Sequence, residues 1–241
     1  MSAQPYLSLI VPAYNEAGRI RSTLTEYHNF LSHQSYTYEI IVSADGTDGT
    51  RDVAAEMARR DRRIRVMGCR ERGGKGRAVR LAVEKARGGI IGFVDADNKT
   101  PIDELDRLLP YLGKYDVVIG SRGQPDSVVE KKQKWYRRIG SRGFWLLMQL
   151  VVGLPGIRDT QCGFKFFVGD VARDLFARQK IDGYVFDVEI LYLAHRLGYS
   201  VKEVGVRWRD DGDSRLALFS GNVRNALDVL RIRFDGSRKA A

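Results

Sequence analysis

Two aspartates one residue apart, Asp95 and Asp97, close the apolar run GIIGFV and open a polar turn. Alternate side chains of an extended strand share a face, so this spacing predicts two carboxylates turned to one side and facing a common cation. Carboxylate oxygens are hard ligands that suit Mg²⁺ or Mn²⁺. An ion held there can neutralise a diphosphate leaving group, which is what displacement of a sugar from a nucleotide requires. An isolated pair of this kind is more often a solvated turn, because Asp favours turns. Its company therefore decides the reading.

That company is PAYNE at Pro12 to Glu16, ADGTDGT at Ala44 to Thr50 and RGGKGRAV at Arg72 to Val79. The elements that must carry them are legible from periodicity. Short β-rich runs, LSLIVP, EIIVSAD, IRVMG, GIIGFVDAD and YDVVIGS, alternate with amphipathic stretches over Ala17 to Leu31, Thr50 to Arg59, Lys75 to Ala86 and Ile102 to Leu112. This rhythm predicts an α/β fold with five mostly parallel strands flanked by helices. Downstream, a strand is expected at Phe164 to Val168, a helix at Val185 to Leu197, a strand at Val201 to Trp208 and a last helix at Asn222 to Arg233. Ligands of open α/β sheets bind beyond the C-terminal ends of the strands. Tyr14-Asn15-Glu16, Asp45, Asp95 with Asp97, and Ser121-Arg122 each fall at such an end, so the motifs converge on one rim.

Together these motifs resemble glycosyltransferase family two, the inverting GT-A transferases. Four later segments extend the resemblance: GSR at Gly120 to Arg122, IRDTQCGFKFF at Ile157 to Phe167, VFDVEILYLAHRLGY at Val185 to Tyr199, and VRWRDDGDSRL at Val206 to Leu216. Within the family they look like the dolichyl-phosphate β-glucosyltransferases and, less closely, the dolichol-phosphate mannose synthases. The resemblance covers residues 6 to 234 and implies a Rossmann-like nucleotide-diphospho-sugar transferase with a mixed, mainly parallel sheet. It further implies that Pro12, Tyr14, Glu16 and Asp45 hold base and ribose, with Lys75 beside the same pocket. Asp95 and its neighbour Ala96 would lie against ribose and metal, and Asp97 would ligate the ion directly. Arg122, Arg137, Ser141 and Arg142 would grip an acceptor phosphate, since guanidinium forks match phosphate oxygens. Arg215 would reach the donor diphosphate. Asp187 and Glu189 match the family's acidic pair, and Asp159 and Gln161 the loop before it, with sugar contact as the implied role. The implied substrates are a nucleotide-sugar, UDP-glucose in first place, and a polyprenyl phosphate; GDP-mannose, UDP-GlcNAc or a hydroxyl acceptor remain open. A hydroxyl acceptor would need a carboxylate base, for which Asp187 or Asp159 stands available.

The chain departs from the family pattern in three places. Ala44 stands where the second motif usually carries an aspartate, and the turn is shorter. Lys99 stands where the mannose synthases carry a metal-binding glutamine, and a protonated lysine cannot ligate. The C-terminal transmembrane helices of some relatives have no counterpart here.

Composition bounds the rest. In 241 residues, 40 basic against 30 acidic side chains leave a net charge of +10, so an anionic partner is expected. The basic segment Lys131 to Arg142 runs into an apolar stretch, Phe144 to Leu154, too short for the ~20 residues that span a bilayer. Residues 131–155 are thus expected to face an anionic membrane surface from within a single domain over 1–235, with 236–241 a frayed tail. Core packing is the equal alternative for Phe144, Trp145, Leu147, Met148 and Val151. Two distant cysteines and a polar N-terminus indicate no disulfide framework and no secretion signal, so the expected place is the cytoplasmic membrane face. Interleaved Trp135, Tyr136 and Phe144 would suit nucleic acid, but that reading leaves the carboxylates at the strand ends unexplained, and no nucleic-acid partner is expected. Oligomeric state is not legible, and His28, His33 and His195 show no ligand spacing.

Overall fold

The computed structural model describes residues 4–130, 152–154, 156–209 and 228–233. Strands β1 (Leu7–Tyr14), β2 (Tyr38–Asp45), β3 (Ile64–Met67) and β4 (Ile90–Val94) alternate with helices α1 (Ile20–Ser32), α2 (Thr50–Arg60) and α3 (Lys75–Lys85). A short α4 (Leu105–Leu108) precedes β5 (Val117–Ser121) and the two-residue β6 (Val128–Val129). Then come β7 (Phe164–Val168), α5 (Gly169–Arg178), α6 (Phe186–Arg196), β8 (Val201–Gly205), β9 (Arg207–Trp208) and a helical turn at 228–233.

Seven strands form one sheet in the order β3-β2-β1-β4-β7-β5-β8. Strands β1 to β4 are parallel, as the alternating rhythm predicts, and β5 is parallel to β8. Between β4 and β5 lies β7, antiparallel to both. The sheet is therefore mixed and mainly parallel, and its central register is completed by a strand some 70 residues downstream of β4.

Both faces of the sheet are covered, which is why β1 and β2 read as nearly continuous apolar runs. On one face Leu9, Val11, Ile40, Val42 and Phe166 pack with Leu24, Tyr27 and Leu31 of α1, Ala54 of α2 and Leu105 of α4. On the other, Ile10, Ile41, Phe93, Ile119 and Phe167 pack with Val79 of α3, Leu175 and Phe176 of α5 and Ile190 of α6.

Three expectations change. The helix expected over Ile102 to Leu112 is broken into 3₁₀, α and 3₁₀ turns, because Pro110 supplies no N–H and crowds the preceding turn. The strand expected over Val201 to Trp208 bends at Val206 into β8 and β9, and β9 pairs with β6. Helix α5 is an addition; its GDVARDLFAR pattern follows β7 without a loop. The last expected helix is described only over 228–233, and residues 1–3, 131–151, 155, 210–227 and 234–241 lie outside the described residues.

Candidate active site

The parallel register fixes the rim. Tyr14 and Asp45 are paired at the ends of β1 and β2, and Pro12, opposite Ser43, lies beyond the β1–β4 pairing that ends at Ile10 and Phe93. A strand with a free edge there tolerates a residue without an N–H. Because β7 runs antiparallel, its first residue Phe164 sits opposite Val94, the last of β4. The loop before β7 is thereby delivered to the rim, where the Asp95 amide donates to the Gly163 carbonyl at 3.1 Å.

Asp95 and Asp97 are not strand residues. Strand β4 ends at Val94, and the two aspartates sit in a turn closed by Asn98 in the left-handed region (φ 52°), whose amide donates to the Asp95 carbonyl at 3.3 Å. Strand alternation therefore does not orient them; helix α1 does. The Tyr27 hydroxyl donates to the Asp95 carbonyl and the Thr23 hydroxyl to the Ala96 carbonyl, each at 2.8 Å. Ala96 is buried among the α1 residues, which leaves the two flanking carboxylates for the rim.

The carboxylates of the site are tied into ion pairs. Lys75, at the first position of α3, sets its Nζ 2.7 Å from Asp95 Oδ1 and 3.9 Å from Asp187 Oδ2. Burial would lower the pKa of Lys75, but Asp95 and Asp187 outweigh it and keep the ammonium charged. The other Asp187 oxygen accepts from Lys165 Nζ at 2.6 Å, and Lys165 is fully buried in β7. Arg122 closes a two-pronged pair on Asp159, Nε to Oδ2 at 2.6 Å and Nη2 to Oδ1 at 2.8 Å, with its backbone amide adding a third bond. Burial alone would raise the Asp159 carboxyl, yet Arg122 holds it down at about 2. The edge of Arg122 expected to grip a phosphate is therefore closed on a carboxylate, which leaves Nη1 for any anion.

The other expected site residues divide into rim and scaffold. Tyr14 is exposed and lies under the Arg72 guanidinium, 4.5 Å from the ring centre. Glu16 pairs with Arg19 at 2.6 Å. Asp45 accepts from the amides of Cys69 and Gly73 at 3.1 and 3.0 Å, so it ties the glycine-rich turn to the end of β2. Glu189 accepts from the amides of Lys180 and Ile181 at 2.9 and 2.8 Å; both its oxygens brace that loop. Gln161 donates its backbone N–H to Asp159, and its buried Nε2 has no hydrogen-bond partner among the described residues. Arg137, Ser141, Arg142 and Arg215 lie outside the described residues.

Reading by motif missed several residues that build this rim. Lys165 is one, though a lysine inside the apolar run FKFFV is a signal in itself. Gly163 is another: a Cβ there would stand 2.1 Å from Asp95 Oδ2. Trp208 is approached by two cations, with Lys99 Nζ 5.9 Å and the Arg122 guanidinium carbon 5.4 Å from its ring centre. Glu203 of β8 accepts the amides of Arg158 and Asp159, which anchors the loop that engages Arg122.

A divalent cation fits Asp95 and Asp97. Burial and the neighbouring Asp95 charge both raise the Asp97 carboxyl, a repulsion that a hard dication relieves, and the absence of a Cβ at Gly163 lets the Asp95 carboxylate pack where it stands. Among the described residues no cluster of three or more His, Cys, Asp or Glu forms.

Comparison with known proteins agrees with this architecture. The family model for glycosyl transferase family 2 matches residues 8–176. The chain is 37% identical to a dolichyl-phosphate beta-glucosyltransferase of Dictyostelium discoideum, over 95% of this chain and 74% of that protein. It is 37% identical to the Drosophila melanogaster protein of the same name, over 94% and 74%. Among solved structures, glucosyl-3-phosphoglycerate synthase from Mycobacterium tuberculosis, in complex with Mn²⁺, UDP and phosphoglyceric acid, superposes with a TM-score of 0.72 at 20% identity, covering 95% of this chain and 78% of that one. Mannosyl-3-phosphoglycerate synthase from Rubrobacter xylanophilus gives 0.69 at 18% identity, covering 98% and 77%.

Proposed function

This chain belongs to glycosyl transferase family 2, and from that membership we propose that it moves glucose from UDP-glucose onto a polyprenyl phosphate such as dolichyl phosphate, with inversion at the anomeric carbon. The observation that carries the choice of acceptor is the state of the carboxylates. Asp159 and Asp187, the two that could serve as a general base, are each buried and held by cations, Asp159 by Arg122 and Asp187 by Lys165 and Lys75. A base must be within reach of the proton it takes and poised near the working pH. A phosphate monoester has its second pKa near ~6 and is already anionic at neutral pH, so it attacks without one.

In this reading Asp95 and Asp97 hold Mg²⁺ or Mn²⁺, which when bound neutralises the departing diphosphate. Lys75, at the N-terminus of α3, supplies a second positive charge beside that position, and the helix end adds its own partial charge. Tyr14 with Arg72 offers a flat face at the ends of β1 and β2 for the nucleobase. Asp45 shapes the turn that borders the ribose, and Gln161 Nε2 supplies a donor for a sugar oxygen. The rate comes from positioning and charge neutralisation.

A long polyprenyl chain stays in lipid, so the reaction belongs at a membrane surface. We place the protein as a peripheral one on the cytoplasmic face, drawn by its net charge of +10 and by residues 131–155. No helix among the described residues is long and apolar enough to cross a membrane.

The test is nucleotide release from a panel of UDP- and GDP-sugars with Mg²⁺ or Mn²⁺, with and without a polyprenyl phosphate in detergent. Turnover of UDP-glucose that requires the polyprenyl phosphate and is lost in Asp97→Ala is expected. Equal turnover without the lipid would move the acceptor to a hydroxyl compound.

A further inference from the structure

A lysine with no exposed surface, in an interior strand of a sheet, is costly unless its charge is matched. Lys165 sits on β7 between Phe93 of β4 and Ile119 of β5. Its Nζ donates to Asp187 Oδ1 at 2.6 Å and to the Cys162 carbonyl at 2.5 Å. Asp187, itself buried at the start of α6, turns its second oxygen toward Lys75, and Lys75 in turn contacts Asp95. Four charges thus alternate from the sheet centre to the rim: Lys165, Asp187, Lys75, Asp95.

The spacing along that chain is uneven. Lys75 is 2.7 Å from Asp95 but 3.9 Å from Asp187. Two lysines compete for one buried carboxylate, and the inner one holds it. We propose that Lys165 is a positioning residue: by neutralising Asp187 it keeps Lys75 outward, against Asp95, where it can pass to the donor's diphosphate when a cation takes Asp95. Remove the inner charge, and the unmatched Asp187 draws Lys75 inward, because a low-dielectric interior magnifies the attraction. This rests on the reading of the rim as a nucleotide-diphosphate and metal site.

The consequence has opposite signs for two ligands. With Lys75 drawn in, Asp95 loses its competing ammonium and Mn²⁺ alone binds more tightly. UDP in the presence of Mn²⁺ loses a cation and binds more weakly. A change that merely loosened the fold would weaken both.

The experiment uses the full chain and Lys165→Met. Free Mn²⁺ is followed by electron paramagnetic resonance and UDP binding by calorimetry. Mn²⁺ affinity is expected to rise several-fold and UDP affinity to fall about tenfold, with the UDP effect vanishing in a Lys75→Met background. Loss of both affinities, or an equal UDP loss with and without Lys75, would overturn the proposal. Should the unmatched Asp187 prevent folding, Lys165→Met with Asp187→Asn removes both inner charges. That pair is expected to keep Lys75 on Asp95, with UDP affinity within a few-fold of the parent, and a tenfold loss would overturn the proposal. The crystal structure of either variant gives the position of Lys75 whatever the donor is: bonded to Asp187 in the single variant, on Asp95 in the double. If the parent protein bound neither Mn²⁺ nor UDP, the functional reading would fall, while that structure would still decide the geometry.

Discussion

At the scale of single residues, the site is a set of carboxylates whose partners decide what each can do. Asp97 is half-buried next to a like charge; lost hydration and that charge raise its folded pKa, so its ionised form weakens the metal-free fold. Asp97→Asn is therefore expected to raise the melting temperature without metal and to abolish the increase that Mn²⁺ gives the parent, both read by calorimetry. Asp159 behaves oppositely. Its folded pKa, about 2, lies below the usual 3.8, so the fold binds fewer protons than the unfolded chain between those values. The stabilisation is present in full above about pH 4 and is lost as pH falls toward 2. It is worth about 2 kcal/mol by the size of the shift. Urea midpoints measured from pH 5 to pH 2 should fall steeply for the parent and less steeply for Asp159→Asn.

At the scale of elements, glycines mark where two elements meet too closely for a side chain. Gly163 ends the loop before β7 and faces Asp95 at the end of β4. Gly163→Ala is expected to displace the Asp95 carboxylate and weaken Mn²⁺ about tenfold or more while leaving the melting temperature nearly unchanged. Gly92 within β4 lies under the Phe166 ring of β7, where a Cβ would come within 2.1 Å. There the expected effect is on stability: Gly92→Ala should cost about 1–3 kcal/mol in denaturant unfolding, as overpacked cores do. The two substitutions separate the work of β7 as carrier of a rim loop from its work as core.

At the scale of the whole molecule, the proposal of a membrane-surface enzyme leans on a net charge of +10. Attraction to an anionic surface is screened within about 10 Å at 0.1 M salt. Co-sedimentation with phosphatidylserine vesicles is expected at low salt, to decline as salt rises, and to be absent with neutral phosphatidylcholine vesicles. Retention independent of salt would point to apolar insertion as the dominant force. The sheet brings Tyr14, Asp45 and Asp95 at the ends of β1, β2 and β4 to the same rim as the Arg122–Asp159 pair at the end of β5.

The parallel half of this protein was legible in its sequence because its information is local. Apolar runs of strand length, separated by amphipathic helices, place Tyr14, Asp45, Asp95 and Arg122 at strand ends, and an open sheet puts such ends on one rim. The paired aspartates, the glycine-rich turn at Lys75 and the family itself follow from short motifs. Tertiary structure alone decided what those residues touch. Periodicity tells which face of a strand is buried but not which distant strand lies beside it, so the insertion of β7 between β4 and β5 left no trace in the pattern. With that insertion come Gly163 against Asp95, Lys165 against Asp187, and Asp159 against Arg122. A carboxylate read alone in the sequence looks like a base or a ligand; only its neighbours across the sheet show whether its charge is already answered.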